Sequence, residues 1–113
     1  LARLVGMGMA KQLVYSALNI KADEALRIGL VNAVYPLAEL YAAAEKLASQ
    51  IAANAPIAVR AAKKAINEGL DLPMDEAVVV EEKAFGSCFE TADQQEGMGA
   101  FLEKRKHEPF TNK

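Results

Sequence analysis

Residues 37–56 read LAELYAAAEKLASQIAANAP, and the reading of this stretch decides the fold class. Leu40, Ala44, Leu47 and Ile51 recur at helical spacing and place one apolar stripe along a single face. Alanine dominates the rest, and it costs the least side-chain entropy in a helix. The spacing predicts a helix over 37–53. Asn54-Ala55-Pro56 then breaks it and opens a second helix, with proline where a first turn has no use for its missing N–H.

Working outward, residues 57–68 continue as that second helix. Val59, Ala62 and Ile66 are apolar, Lys63, Lys64 and Glu68 are polar, and Gly69 closes it. The two helices are expected to form a hairpin. Residues 73–89 form the longest predicted helix. Asp75 and Glu76 sit near its N-terminus, where carboxylates suit the helix dipole, and Val80, Ala84, Phe85, Cys88 and Phe89 are its apolar side. Thr91 with Gln94 three residues on is a reciprocal capping box that starts a last helix, whose expected buried face is Met98, Phe101 and Leu102.

Toward the N-terminus, residues 9–18 carry helical spacing, and 22–28 form a short amphipathic helix with Asp23 and Glu24 in its first turn and Gly29 ending it. Residues 30–35 alternate enough for one short strand, stopped by Pro36. Leu1 follows no N-cap residue, and the chain reads as cut from something longer. The whole is an α-rich unit with about six helices and at most one short strand.

Hydrophobic residues make up 52% of the 113 and aromatics 6%, so the apolar content is mostly aliphatic. A net charge of −2 offers no field to attract nucleic acid, and one Lys-Arg-Lys cluster makes few phosphate contacts. The absence of an 18-residue apolar run argues against a membrane span. The lone Cys88 cannot form an internal disulfide, which agrees with a reducing, cytoplasmic location, and it reads as a small buried hydrophobe. His107 has no partner at ligand spacing, so no metal site is expected.

Three stretches in order, Arg3-Leu4-Val5-Gly6, the block from Ala22 to Asn32, and the tail from Glu96 to Lys106, together with Ile51 to Pro56 between them, resemble the enoyl-CoA hydratase/isomerase (crotonase) family over essentially the whole chain. Residues 17–28 and Ala84-Phe85-Gly86 are most similar to bacterial short-chain crotonases, the 3-hydroxybutyryl-CoA dehydratases. The resemblance implies the helical C-terminal part of the crotonase fold, a ClpP-like ββα spiral. Residues 1–36 would end the spiral core, and 37–113 would form a C-terminal helical trimerisation region. It implies a lyase that hydrates short 2-enoyl-CoA thioesters, such as crotonyl-CoA to 3-hydroxybutyryl-CoA, with coenzyme A entering as part of the substrate and no cofactor.

In such enzymes two glutamates activate water while two backbone N–H groups hold the thioester oxygen, because negative charge develops there as water attacks C3. None of the glutamates here matches those positions. No catalytic residue is therefore assigned, and the isolated chain is expected to be inactive. The resemblance gives Phe101 and Lys104 to CoA bound mainly by a neighbouring subunit, Phe85 to the far end of the acyl pocket, and a trimer or dimer of trimers to the parent protein. The residues alone leave core packing open for Phe101 and Phe85, and a simple helix-end cation open for Lys104. A non-catalytic oligomerisation module and an enoyl-CoA isomerase are the alternatives. The apolar stripes exceed what so short a chain covers, so exposed patches are expected.

Overall fold

The computed structural model describes residues 1–113 as seven α-helices with no strand, in two compact units, 1–45 and 46–113. In the first unit, α1 (Ala2–Val5) and α2 (Met7–Ser16) pack together and meet at Gly6. Gly6 has φ 79° and ψ 158°, a region open in practice to glycine alone. Helix α3 (Ala22–Arg27) carries a two-pronged ion pair one turn apart, with Arg27 Nε and Nη2 each 2.6 Å from a Glu24 oxygen. The Arg27 hydrogen bond holds the Glu24 carboxyl below its usual range, and Glu24 raises Arg27. The buried hydrophobic residues of this unit are Ala10 and Ala25.

The strand expected over 30–35 does not form. Gly29, at φ 73°, turns the chain, and the N–H groups of Leu30 and Val31 both donate to Ala25 O at the end of α3, at 2.9 and 3.3 Å. Those donors are consumed by the helix end, and no neighbouring strand is present to pair with the rest. Helix α4 (Leu37–Ala52) begins in this unit and ends in the second.

The second unit contains α5 (Pro56–Gly69), α6 (Met74–Cys88) and α7 (Ala92–Leu102), followed by a tail over 103–113. The hairpin expected of α4 and α5 is instead formed by α5 and α6. Small residues permit this pairing: a Cβ added at Gly69 would sit 3.4 Å from the Cβ of Ala77. Pro56 occupies the first turn of α5, as its fixed φ favours. Thr91 caps α7 by accepting the Gln94 N–H at 3.1 Å. The reciprocal half of the box is absent, because the Thr91 N–H donates to Cys88 O at 3.1 Å instead.

Met98, Phe101 and Leu102 do not supply a buried face. Phe101 is 78% exposed and Leu102 72%. The side of α7 that packs carries Asp93 and Ala100, and what it meets is the chain's own tail, through the contacts of Asp93, Glu96 and Gly97. The sole buried hydrophobic residue of this unit is Ala100, whereas Leu47, Ile66, Phe85 and Phe89 are all exposed. Apolar stripes of the right period are present, but they remain uncovered.

Candidate functional site

Helix α7 ends in a turn with a left-handed residue that carries a side chain. Glu103 caps the helix, Lys104 follows in the left-handed region at φ 55°, Lys104 N–H donates to Phe101 O at 3.2 Å, and Arg105 N–H donates to Ala100 O at 3.0 Å. This pair of bonds is a Schellman turn. A residue bearing a Cβ costs about 1–2 kcal/mol in the left-handed region, which is why glycine usually occupies this position.

Arg105 holds the turn to the helix. Its Nη1 and Nη2 lie 2.5 and 3.1 Å from the two oxygens of Glu96, its Nε lies 2.6 Å from Glu103 Oε2, and Nη1 also reaches Lys106 O at 3.3 Å. Glu96 Oε1 receives the Glu108 N–H at 2.8 Å as well. The Arg105 fork and the Glu108 N–H favour the ionised form and outweigh its partial burial, so the Glu96 carboxyl is held down at about 2. Glu96 and Glu103 in turn raise Arg105 above the usual guanidinium value. Arg105 is thus committed to intramolecular carboxylates, while the Lys104 ammonium enters none of these ion pairs.

Further along the tail, Phe110 lies beside Gly97, where an added Cβ would stand 3.6 Å from its ring, and stacks on His107 with centroids 4.3 Å apart. Asp93, only 3% exposed, accepts the N–H groups of Thr111 at 2.6 Å and Asn112 at 2.9 Å, and the Thr111 hydroxyl at 3.2 Å. Burial alone would raise this carboxyl, but the three donors win and lower it. Asn112, itself left-handed at φ 62°, accepts a 2.6 Å hydrogen bond from Arg60 of α5. The tail is therefore clasped along α7 by two carboxylates, Asp93 and Glu96.

A second feature of the same unit is an open apolar groove of about 780 Å³ among α5, α6 and α7, lined by Ala62, Ala65, Val78, Phe85, Phe89 and Met98 among others. Phe85 and Phe89 meet edge to face with centroids 5.1 Å apart. Cys88 also lines this groove and is partly exposed, so it is not the fully buried hydrophobe expected.

Of the residues singled out in the sequence, Phe101 and Lys104 come together at the end of α7, and Phe85 lies in the groove, whose lining includes neither. Exposure removes core packing within this chain as an explanation for Phe101 and Phe85. Sequence reasoning singles out none of Asp93, Glu96 and Arg105, which the structure brings together with the tail. No signal within a few residues marks Asp93 and Glu96, because their partners lie nine to nineteen residues along the chain. No group of three His, Cys, Asp or Glu side chains gathers as a metal site, and no helix is long and apolar enough to cross a membrane.

Helix α7 thus ends on an exposed aromatic and a cation, and an apolar groove among α5, α6 and α7 is left uncovered. The chain belongs to the enoyl-CoA hydratase/isomerase family, whose model matches residues 1–113. It is 57% identical over all 113 residues to the short-chain-enoyl-CoA hydratase of Clostridium acetobutylicum and 56% identical over 106 residues to the crotonyl-CoA hydratase of Syntrophomonas wolfei. The alignments cover 100% and 94% of this chain, but only 43% and 41% of those proteins. The fold agrees: the crystal structure of an enoyl-CoA hydratase from Bacillus anthracis superposes with a TM-score of 0.93 at 39% identity, over 99% of this chain and 43% of that one. The helical architecture is thus that of a part of the crotonase fold.

Proposed function

We propose that these residues form the C-terminal, CoA-contacting part of a short-chain enoyl-CoA hydratase, which reversibly adds water to crotonyl-CoA to give 3-hydroxybutyryl-CoA. The observation that carries this reading is the pairing of Phe101, 78% exposed, with Lys104 one turn on at the end of α7. An aromatic face open to solvent can stack on adenine, and an ammonium on a flexible stem can neutralise the 3′-phosphate. Identity to the short-chain and crotonyl-CoA hydratases supports the choice of substrate.

In this reading the chain binds and orients, and the bond-making groups belong to the remainder of the parent enzyme. Phe101 and Lys104 hold the nucleotide end of a CoA thioester bound mainly by a neighbouring subunit. The groove lined by Phe85 accommodates the far end of the acyl chain. Holding both ends converts the addition of water into a reaction of aligned partners, which lowers the entropic part of the barrier. Donors placed at the thioester oxygen then stabilise the enolate as water attacks C3. The reaction needs no cofactor, since the thioester itself supplies the electron sink, and the enzyme acts in the cytoplasm.

The test is turnover of crotonyl-CoA by the full-length protein, followed as loss of the enoyl thioester absorbance. Isomerisation of 3-enoyl-CoA without hydration would keep the family and overturn the reaction. A second reading is favoured by the exposed Leu47, Ile66, Phe85 and Phe89: the helices act in assembly, as a trimer or a dimer of trimers. Sedimentation of the full-length protein as a monomer would overturn that role.

A further inference from the structure

The chain ends two helices with the same turn and fills the left-handed position differently. After α3, Gly29 stands at φ 73°, with Gly29 N–H on Leu26 O and Leu30 N–H on Ala25 O. After α7, Lys104 stands at φ 55°, with Lys104 N–H on Phe101 O and Arg105 N–H on Ala100 O. Glycine meets the turn's conformational demand without a steric cost, so stopping α7 does not call for a lysine.

A side chain in the left-handed region persists where its surroundings over-determine the backbone. Here the surroundings are three charged residues, Glu96, Glu103 and Arg105. The Arg105 fork grips both oxygens of Glu96, and its Nε grips Glu103, so the residues immediately before and after Lys104 are tied together and to α7. The Glu108 N–H on Glu96 keeps the outgoing tail from pulling that fork away. The Lys104 side chain is left out of the network, and the network fixes the direction in which it departs.

We propose that Glu96 and Arg105 are positioning residues for Lys104: their ion pair locks the left-handed turn at the end of α7 and so aims the Lys104 ammonium at the 3′-phosphate of the bound CoA thioester. Arg105, although adjacent and of the same charge, is not the phosphate ligand, because its fork is occupied by Glu96 and Glu103. This rests on the reading that Lys104 meets CoA, and the experiment separates the two.

Steady-state kinetics of the full-length enzyme are measured with crotonyl-CoA and with crotonyl-3′-dephospho-CoA, for the wild type, Lys104→Ala, Glu96→Gln and Arg105→Lys. Lys104→Ala is expected to abolish the preference for the phosphorylated substrate. Glu96→Gln and Arg105→Lys are expected to raise KM for crotonyl-CoA roughly tenfold while KM for the dephospho substrate stays within about twofold, with the effect on KM rather than kcat. Arg105→Lys keeps the charge while losing the two-pronged grip, so it carries the test should Glu96→Gln fail to fold. A rise in KM for both substrates alike would make the clasp merely structural and overturn the inference. Selectivity lost in Lys104→Ala but intact in both clasp variants would also overturn it, leaving the CoA reading in place. Selectivity intact in Lys104→Ala would overturn both.

Discussion

Asp93, in the first turn of α7, accepts the backbone N–H and the hydroxyl of Thr111 on a single carboxylate oxygen, at 2.6 and 3.2 Å, across eighteen residues of chain. Its other oxygen takes the Asn112 N–H at 2.9 Å. Both oxygens are thus required as acceptors. In Asp93→Asn the amide nitrogen would face an N–H donor, either Asn112's or Thr111's. We expect the melting temperature to fall by roughly 5 °C, with loss of amide exchange protection at Thr111 and Asn112. An unchanged melting temperature would refute the clasp.

Acid should release the tail in a defined window. Glu96 and Asp93 both have folded-state values below their usual 4.5 and 3.8, so their stabilisation is fully present above the unfolded values and is lost as the pH falls through the folded ones. For Glu96 the window runs from about 4.5 down to about 2. Amide exchange at Glu108, whose N–H rests on Glu96, should accelerate relative to the α5–α6 pair as the pH drops through that range. Equal behaviour of the two regions would contradict the assignment.

Phe101 separates binding from stability. Because it is exposed, Phe101→Ala should change the unfolding free energy of the 113-residue chain by no more than about 0.5 kcal/mol. In the full-length enzyme the same change should raise KM for crotonyl-CoA about tenfold, toward the lower end of the 1–3 kcal/mol range of base–aromatic stacking. Loss of stability with KM intact would make Phe101 a packing residue.

Two glycines should respond with opposite signs. Gly86 lies inside α6, and a Cβ there meets nothing within 4 Å, so Gly86→Ala should stabilise the 113-residue chain by about 0.5–1 kcal/mol. At Gly29 an added Cβ has room as well, its nearest neighbour being Leu4 O at 3.8 Å, but φ is 73°. Gly29→Ala should therefore destabilise by about 1 kcal/mol through the backbone alone. Thermal unfolding of the two variants checks both signs.

What could be read from the residues was whatever is decided within a few residues of chain. The expected helix over 37–53 is found as Leu37–Ala52, that over 22–28 as Ala22–Arg27, and Thr91 caps α7. Helix periodicity, a proline in a first turn and a capping hydroxyl all act at short range. The family was legible for a similar reason, since the order of three short blocks was enough to indicate it.

Periodicity marks a face that ought to be covered without saying what covers it. The stripe of Met98, Phe101 and Leu102 was read as core, yet it is exposed, because the tail packs on the side carrying Asp93 and Ala100. The strand over 30–35 was lost to the helix end at Ala25, and α6 rather than α4 became the partner of α5. The sequence by itself therefore determined most of the helices, the Thr91 cap and the family, but not every helix end: Gly69, expected to close the second helix, is its last residue and Leu70 caps it. The tertiary structure alone decided that Asp93 and Glu96 hold the tail, that Arg105 is occupied and that Lys104 stands in a left-handed turn. The clasp by Asp93 and Glu96 and the occupation of Arg105 by Glu96 depend on groups nine to nineteen residues apart meeting in space, a condition that no local pattern of residues encodes.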